Sequence, residues 1–136
     1  MPDPWQKSIL LQLFTLLCWD LIFLQKYLSL TENTDFQRAY HRGKSCARPA
    51  LVVYSNKNRV GVCRVGITTS KKIGNAVERN RSRRVIRAAF RAVSQEYTFK
   101  GNFDFVLVAR SKTKYLKTEK VRLAMVECLR EVGAIE

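Results

Sequence analysis

The segment from Val65 to Phe90 carries the residues whose types and spacing point most clearly to chemistry. Its sequence, VGITTSKKIGNAVERNRSRRVIRAAF, runs from a β-branched stretch through Lys71 and Lys72 and a turn at 74–75 into a predicted helix. Within that helix stand Arg79, Arg81, Arg83, Arg84 and Arg87. So many like charges on one face repel each other, and a polyanion with regularly spaced phosphates neutralises them best. The segment therefore predicts a nucleic-acid-binding surface.

The alternative is that these arginines lie on an ordinary solvated helix face. Such faces usually mix charges of both signs at i,i+4 spacing, whereas Glu78 is the only acidic residue between Lys71 and Arg91. Arginine also dominates over lysine in the helix, and its planar guanidinium suits bidentate phosphate contacts and stacking on bases. We therefore favour nucleic-acid binding over the solvated face.

Residues that could catalyse a reaction by themselves are scarce. His41 is the only histidine and stands beside Arg42 at the end of a short predicted helix, where an exposed, non-catalytic histidine is the ordinary case. Asp104 lies in an apolar run, and no second carboxylate is near it in sequence. The glycines, such as Gly66 and Gly74, are too sparse for a phosphate-cradling loop. We therefore expect neither catalytic residues nor a metal site in the protein chain.

The cysteines do not suggest a metal site or a disulfide framework. They are Cys18, Cys46, Cys63 and Cys128, and no two have the CxxC spacing. With a single histidine they make a poor zinc set. At 46% hydrophobic residues the chain can bury a core without disulfide bonds. We expect free, mostly buried thiols in a reducing cytosol.

The overall charge also favours a nucleic-acid partner. The chain has 136 residues, enough for one domain, with a net charge of +14 and a pI near 10.1. The charge is uneven, because residues 1–35 carry net −2 and residues 36–136 carry net +16. The two parts therefore differ in role, or only the second belongs to the functional domain.

An apolar stretch precedes the basic region. Ser8–Leu24 is almost wholly apolar, broken by Gln12 and Asp20, and is slightly short for a membrane helix. Its flanks are poor for a signal peptide, because no small-residue cleavage site follows. Three interpretations stay open: an extension outside the functional domain, a membrane or targeting helix, and an extra packed helix. We favour the first and predict an apolar extension at 1–29 and a compact domain at 30–136.

A short helix is predicted at the start of the compact domain. Residues 34–37, Thr-Asp-Phe-Gln, have the spacing of a capping box, in which the Thr34 hydroxyl accepts from the third helical amide. The helix would run to about Arg42, with Gly43 as the residue after its end.

Three strands are predicted around the basic helix. They are Ala50–Ser55, Val60–Ser70 and Phe103–Ala109, with turns at 56–58 and 101–102. The second strand alternates toward one side with Cys63, Val65 and Ile67. The third is nearly continuous in apolar residues, as expected when both faces of a strand are covered.

Two longer amphipathic helices complete the pattern, at Asn75–Val93 and Thr118–Val132. In the first, one arc holds Ser82, Val85, Ile86, Ala89, Phe90, Ala92 and Val93. The opposite arc holds Asn80, Arg81, Arg83, Arg84, Arg87 and Arg91. The second helix spaces Val121, Met125, Cys128 and Val132 on one face and is followed by Gly133. The order helix, strands, helix, strand, helix predicts an α+β fold with a crossover beside a small mixed sheet.

Three aromatic residues near the basic helix have two interpretations. From pattern alone, Phe36, Tyr40 and Tyr54 are most simply core residues. Aromatics on a sheet and a short helix beside a basic helix can also form a stacking platform for single-stranded nucleic acid.

Three segments closely resemble the protein subunit of bacterial ribonuclease P: NTDFQRAYHRGKS, RVGITTSKKIGNAVERNRSRRVIRAAFR and DFVLVAR. The resemblance covers about Leu30 to the C-terminus. It implies a cytoplasmic ribonucleoprotein in which the RNA subunit is the catalyst, and Mg²⁺ is held mainly by that RNA. The small protein would bind the RNA subunit and help to grip precursor tRNA while its 5′ leader is removed.

The resemblance also implies a particular fold. It is an αβββαβα sandwich of the ribosomal-protein type, with an unusual left-handed β-α-β crossover. Composition and periodicity do not predict that handedness, because the general rule for such crossovers is right-handed.

Site residues follow from the resemblance by motif. Its RNR element corresponds to Arg79, Asn80 and Arg81, its preceding loop to Lys71, Lys72 and Asn75, and its further RNA-facing row to Arg83, Arg84 and Arg87. Its leader-binding cleft is bordered by aromatics that match Phe36, Tyr40 and Tyr54. The chain departs from the family at Leu51, where relatives often have an aromatic, and at residues 1–29, where they usually have a short basic tail.

The sequence therefore predicts a non-catalytic, RNA-binding subunit of ribonuclease P, with the RNA subunit and precursor tRNA as partners. No small-molecule substrate and no membrane are expected. One alternative is a structural ribosomal protein, which the charge and fold class fit equally well but the RNR element and cleft aromatics do not. Another is a membrane-anchored RNA-binding protein, which rests on Ser8–Leu24 alone.

Overall fold

Residues 27–136, which the computed structural model describes, form one mixed sheet with helices on both faces. In chain order the elements are β1 (Tyr27–Ser29), α1 (Asn33–Arg42), β2 (Lys44–Ala47), β3 (Leu51–Lys57), β4 (Cys63–Thr68), α2 (Ala76–Glu96), β5 (Phe103–Ala109) and α3 (Thr118–Glu131). Short 3-10 turns at Lys71–Ile73 and Thr113–Tyr115 precede α2 and α3. The predicted α+β class with three helices is confirmed. No helix within this range is long and apolar enough to cross a membrane.

The strands lie in the order β1-β4-β5-β3-β2. β4 and β5 pair in parallel, with Val65 opposite Phe105, so α2 forms the predicted crossover. β3 runs antiparallel to β5 on its other side, and β2 runs antiparallel to β3. The left-handed sense of the crossover stays a prediction.

The central strand, β5, is buried on both faces, as its apolar run predicted. On one face Phe105 and Leu107 pack with α2 and α3 in the main core. On the other face Val106 packs with Leu30 and with Ala39 of α1 in a smaller cluster. Because α1 and α2 cover opposite faces, a surface that uses both helices must pass around the edge of the sheet at β4.

The predicted phase of the basic helix is confirmed. α2 begins after Asn75, whose Oδ1 accepts the Glu78 N–H at 2.9 Å, and it extends three residues beyond the predicted end at Val93. Its buried residues are Ser82, Val85, Ile86, Ala89, Phe90, Val93 and Ser94, with Ala92 half-buried. The last helix also packs as predicted, and Gly133 after it has a φ of +81°, which favours glycine.

The capping box predicted at the start of α1 is wrong. α1 begins at Asn33, its N-cap is Glu32 without a side-chain hydrogen bond, and Thr34 is an exposed residue of the first turn. The polar contact here is tertiary, because the Asp35 carboxylate lies 3.2 Å from the Arg64 guanidinium on β4. A sequence pattern that scores only local hydrogen bonds does not anticipate this contact.

Gly43 does follow α1, but for a reason other than a left-handed C-terminal cap. Its φ of −77° and ψ of 159° are extended backbone. A Cβ there would lie 2.5 Å from the Ala39 carbonyl oxygen and 2.8 Å from that of Ser55, so only glycine fits. The chain then enters β2, a strand that the αβββαβα order implies but that no local pattern located, because only Cys46 of its four residues is buried.

The predicted turn at 56–58 is also wrong. β3 continues to Lys57, with Asn56 opposite Asp104 on β5, and the chain reverses in the segment 58–62. Gly61 in that segment has a φ of +89°. β4 therefore begins at Cys63, three residues after the predicted start.

The sheet begins before the predicted domain boundary at residue 30. β1 pairs in parallel with β4, and Tyr27 lies opposite Cys63. Residues 27–29, assigned to the apolar extension, are therefore part of the sheet. The apolar stretch Ser8–Leu24 lies outside the described residues.

The predicted free thiols are confirmed at three positions. Cys46, Cys63 and Cys128 are buried and unpaired with one another, while Cys18 lies outside the described residues. Burial raises the pKa of all three thiols, which keeps them protonated and poorly nucleophilic.

Candidate nucleic-acid interface

The outward side of α2 carries the predicted row of basic side chains. Asn80, Arg81, Arg84 and Arg87 are exposed, and Arg79 and Arg83 are half-buried. The Arg81 Nε donates to the Lys114 carbonyl at 2.9 Å, and the Arg83 Nη1 donates to the Asn80 Oδ1 at 3.3 Å. Both acceptors are neutral oxygens. The contacts therefore orient these guanidinium groups without neutralising their charge.

Carboxylates do not neutralise this row. Within residues 27–136, none of the six arginines between Arg79 and Arg91 forms an ion pair. Glu78 is instead paired with Lys114, whose Nζ also donates to the Ile73 carbonyl at 2.7 Å. This pairing holds the pKa of Glu78 below its ordinary value. The arginines keep their full charge for an external anion.

The loop before α2 presents Lys71 and Lys72 to solvent, on a 3-10 turn held by the buried Ile73. Gly74 then adopts a φ of +145°, which side chains rarely tolerate. Asn75, a predicted RNA contact, uses its side-chain oxygen to cap α2. RNA contact by Asn75 stays a prediction, and its amide NH₂ group is the part left for it.

The basic row spreads around the outward side of α2, with Arg81 and Arg83 on different flanks and Arg84 between them. Arg81 and Arg84 line a small cleft of about 210 Å³ together with Thr118 of α3. Arg83 and Arg87 line a different groove, toward the edge of β4. Residues two positions apart on a helix face different sides, so residues 81 and 83 separate in this way. The predicted row is nevertheless continuous, because Arg84 also lines a shallow depression with Arg83 and Arg87.

The three predicted aromatic residues lie together on the α1 face of the sheet. Tyr40 and Tyr54 meet edge to face with their ring centroids 4.9 Å apart, and the Tyr40 hydroxyl is 3.3 Å from the Thr68 Oγ1. Phe36 and Tyr54 are half-buried against the smaller cluster, whereas Tyr40 is exposed. Phe36 and Tyr54 therefore pack against the core and also leave part of their rings exposed to solvent. Leu51 is fully buried in the main core and offers no stacking surface.

A groove of about 460 Å³ joins the aromatic face to the basic row. It lies at the edge of β4, where the pairing with β1 ends at Val65. Phe36 lines the groove from α1, and Arg83 and Arg87 line it from α2. A single-stranded nucleic acid in this groove meets an aromatic ring and two guanidinium groups on one continuous surface.

Sequence reasoning missed an ion network that joins α1, β4 and β5 next to Phe36. Arg64 on β4 donates its Nε and Nη2 to the two carboxylate oxygens of Asp104, at 2.8 and 2.7 Å, and its Nη1 reaches Asp35. The signal in the sequence was Asp104 itself, because a carboxylate in an apolar strand requires a partner. Both carboxylates are committed to one guanidinium, so they do not form an acid–base pair.

Groups that could bind a metal ion are sparse among the described residues. Among residues 27–136, no three His, Cys, Asp or Glu side chains are close enough together to hold a metal ion. Mg²⁺ prefers carboxylate and phosphate oxygens, whereas the outward side of α2 presents guanidinium groups that repel cations. His41 is exposed at the end of α1.

Comparison with known proteins matches the chain to the family model for Ribonuclease P over residues 24–133. The chain is 35% identical over 104 residues to the ribonuclease P protein component of Clostridium botulinum, and the alignment covers 76% of this chain and 93% of the relative. It is 38% identical over 108 residues to that of Staphylococcus epidermidis, covering 79% and 91%. The structure of the Staphylococcus aureus RNase P protein superposes with a TM-score of 0.68 at 32% identity, covering 79% and 97%.

Proposed function

Because this chain belongs to the ribonuclease P protein family, whose general role is the processing of tRNA 5′ ends, we propose that it is the RNA-binding protein subunit of ribonuclease P. In this role it binds the catalytic RNA subunit and the 5′ leader of precursor tRNA. The holoenzyme removes the leader by endonucleolytic cleavage in the cytoplasm, and the protein alone is not catalytic.

The groove at the edge of β4 is the observation that carries this proposal. It brings Phe36 of α1 and the unpaired arginines Arg83 and Arg87 of α2 to one surface, although the two helices cover opposite faces of the sheet. Aromatic rings stack on unpaired bases of any sequence, and guanidinium groups bind the phosphates between them. This combination suits a single-stranded leader, whose sequence differs between tRNA precursors.

The remaining basic residues are assigned to the RNA subunit. The RNR element and the loop lysines Lys71 and Lys72 lie at the N-terminal end of α2, and Arg81 lies on the flank toward α3, away from the groove. This separation allows two RNA segments to be bound at once. The protein then holds the leader beside the RNA that cleaves it.

Magnesium ions belong to the RNA in this proposal. RNA phosphates supply the oxygen ligands that Mg²⁺ prefers, and no group of three or more His, Cys, Asp or Glu side chains that could hold a metal ion lies among residues 27–136. The basic surface of the protein acts indirectly by reducing phosphate repulsion between the RNA subunit and its substrate. We expect the protein to lower the salt and magnesium concentrations that leader removal requires.

Reconstitution tests the proposal. Rigorously RNA-free protein is incubated with precursor tRNA and Mg²⁺, with and without the ribonuclease P RNA. Leader removal is expected only with the RNA subunit, at lower Mg²⁺ than the RNA needs alone. Cleavage by the RNA-free protein, or no effect of the protein on the RNA's activity, contradicts the proposal. A structural ribosomal protein, the alternative, would instead bind ribosomal RNA and leave the reaction unchanged.

A further inference from the structure

Three charged side chains meet in the interior between α1, β4 and β5. The Asp104 side chain is 3% exposed, Asp35 is 11% and Arg64 is 18%. Both nitrogens of one edge of the Arg64 guanidinium are taken by Asp104, and the Asn58 Nδ2 donates to Asp104 at 2.7 Å as well. The guanidinium is therefore fixed to the sheet on that side. Its remaining nitrogen, Nη1, reaches Asp35 of α1 at 3.2 Å.

This contact ties the first turn of α1 to the sheet. The N-cap residue, Glu32, makes no side-chain hydrogen bond, so the helix start lacks the usual local anchor. Asp35 is buried and faces Arg64, while its other oxygen accepts from Arg38 on the solvent side at 3.3 Å. The position of this turn is thus set from β4 through Asp35.

Phe36 follows Asp35 directly and packs on the same strand. Its ring covers Gly66, two residues beyond Arg64. The ion pair and the ring contact therefore join the same two elements side by side. We propose that Arg64, acting through Asp35, is a positioning residue that sets the place of Phe36 in the groove and thereby the affinity for the 5′ leader.

The energetics favour positioning over simple stabilisation. Taking charges out of water is costly, and proteins in which apolar residues replace a buried ion pair are often as stable. An ion network instead restricts geometry, since a guanidinium held bidentately allows its next partner few positions. An apolar contact between α1 and β4 would let the helix slide and the ring move with it.

The inference rests on the proposed function, and the substitution Asp35→Asn tests the positioning role separately from that function. Asp35→Asn keeps the shape of the side chain and removes its charge, while the Arg64–Asp104 contact stays. Holoenzyme with the ribonuclease P RNA is titrated with precursor tRNA and with mature tRNA. The preference for precursor should fall roughly fivefold or more, the lower end of what stacking on one aromatic contributes. Affinity for the RNA subunit should be unchanged.

Matched variants exclude a general loss of structure. Arg38→Ala removes only the exposed partner of Asp35 and should keep the precursor preference. Asn58→Ala weakens the network at Asp104 without touching α1 and should lower stability alone. In a Phe36→Ala background, Asp35→Asn should have no further effect on the preference. An equal loss of preference in Asn58→Ala, or an undiminished effect without Phe36, overturns the inference.

Two further outcomes are decisive. If Asp35→Asn does not fold, Asp35→Glu, which keeps the charge and displaces it by one methylene, must lower the same preference, and an unchanged value overturns the inference. A wild-type holoenzyme that binds precursor and mature tRNA equally overturns the proposed function and this inference with it. A wild-type preference that survives in Asp35→Asn overturns the positioning role alone.

Discussion

The ring of Tyr27 on β1 meets the ring of Phe90 on α2 edge to face, with their centroids 4.8 Å apart and their planes at 85°. Tyr27 is half-buried and Phe90 is fully buried in the main core. The contact joins the first described residue of the chain to the basic helix. The short strand β1 is therefore part of the structure that holds α2 in place.

Two truncations test the role of β1. Deleting residues 1–26 keeps the ring contact and should leave a folded protein that supports leader removal. Deleting residues 1–29 removes β1 and should lower the free energy of unfolding by about 1–3 kcal/mol, the usual contribution of one large apolar side chain. Urea denaturation measures both. If the shorter deletion already unfolds the protein, Ser8–Leu24 packs on the domain as an additional helix.

Gly66 should not tolerate a side chain. A Cβ there would lie 2.4 Å from the Phe36 Cζ, so Gly66→Ala should destabilise the protein by about 1–3 kcal/mol through overpacking. Gly101→Ala is the control, because its Cβ would meet Phe103 at an ordinary 3.6 Å. In a Phe36→Leu background the cost of Gly66→Ala should shrink. A similar cost in both backgrounds would show that the ring is not the obstacle.

The arginines at the groove should contribute phosphate contacts. Arg83→Ala or Arg87→Ala should weaken RNA binding and reduce its salt dependence by about one phosphate contact each. Stability should change by no more than about 0.5 kcal/mol, as is usual for surface positions. Arg122→Ala removes the same charge, but Arg122 is paired with Glu96 and Glu119, so it should affect RNA binding little. Unfolding of the Arg83 or Arg87 variant would mean that the row is structural.

The aromatic residues should matter more for precursor than for mature tRNA. Phe36→Ala and Tyr54→Ala should each reduce precursor affinity by about 1–3 kcal/mol, the range for stacking of one base. Phe103→Ala, in the main core, should instead destabilise the fold by about 3–5 kcal/mol without selectivity. Equal losses for both tRNA forms in the Phe36 and Tyr54 variants would assign these rings to the core alone.

Asn75 allows its capping role to be separated from RNA contact. Asn75→Ala removes the acceptor for the Glu78 N–H and should cost about 1 kcal/mol of stability. Asn75→Asp keeps the acceptor but replaces the amide donors with negative charge, so stability should hold while RNA affinity falls. Thermal unfolding and RNA titration of the two variants measure this. Unchanged RNA affinity in Asn75→Asp would limit Asn75 to the cap.

Local periodicity was enough to predict the parts of the molecule whose surroundings are uniform. The buried arc of α2, its outward arginines and the central strand β5 follow from spacing, because a helix or strand with one apolar arc or two covered faces has few ways to pack. The prediction of a polyanion partner rests on the same kind of local pattern, since a row of arginines with the single acid Glu78 favours a polyanion in any fold. The leader role of Phe36 is a prediction that comes from the family resemblance alone.

The contacts that build the groove were decided by tertiary structure. β1 and β2 are short, mostly exposed strands, so no apolar alternation identifies them. β1 also pairs with the distant strand β4, whereas β2 pairs with β3, the next strand in the chain. The predicted capping box at Thr34 does not form. The start of α1 is instead held by the contact between Asp35 and Arg64, which lie on different elements. Phe36 and Arg83 are joined only because the sheet edge at β4 is open between α1 and α2. Sequence spacing encodes which side of an element is apolar, whereas the distance between two elements depends on how the whole chain packs.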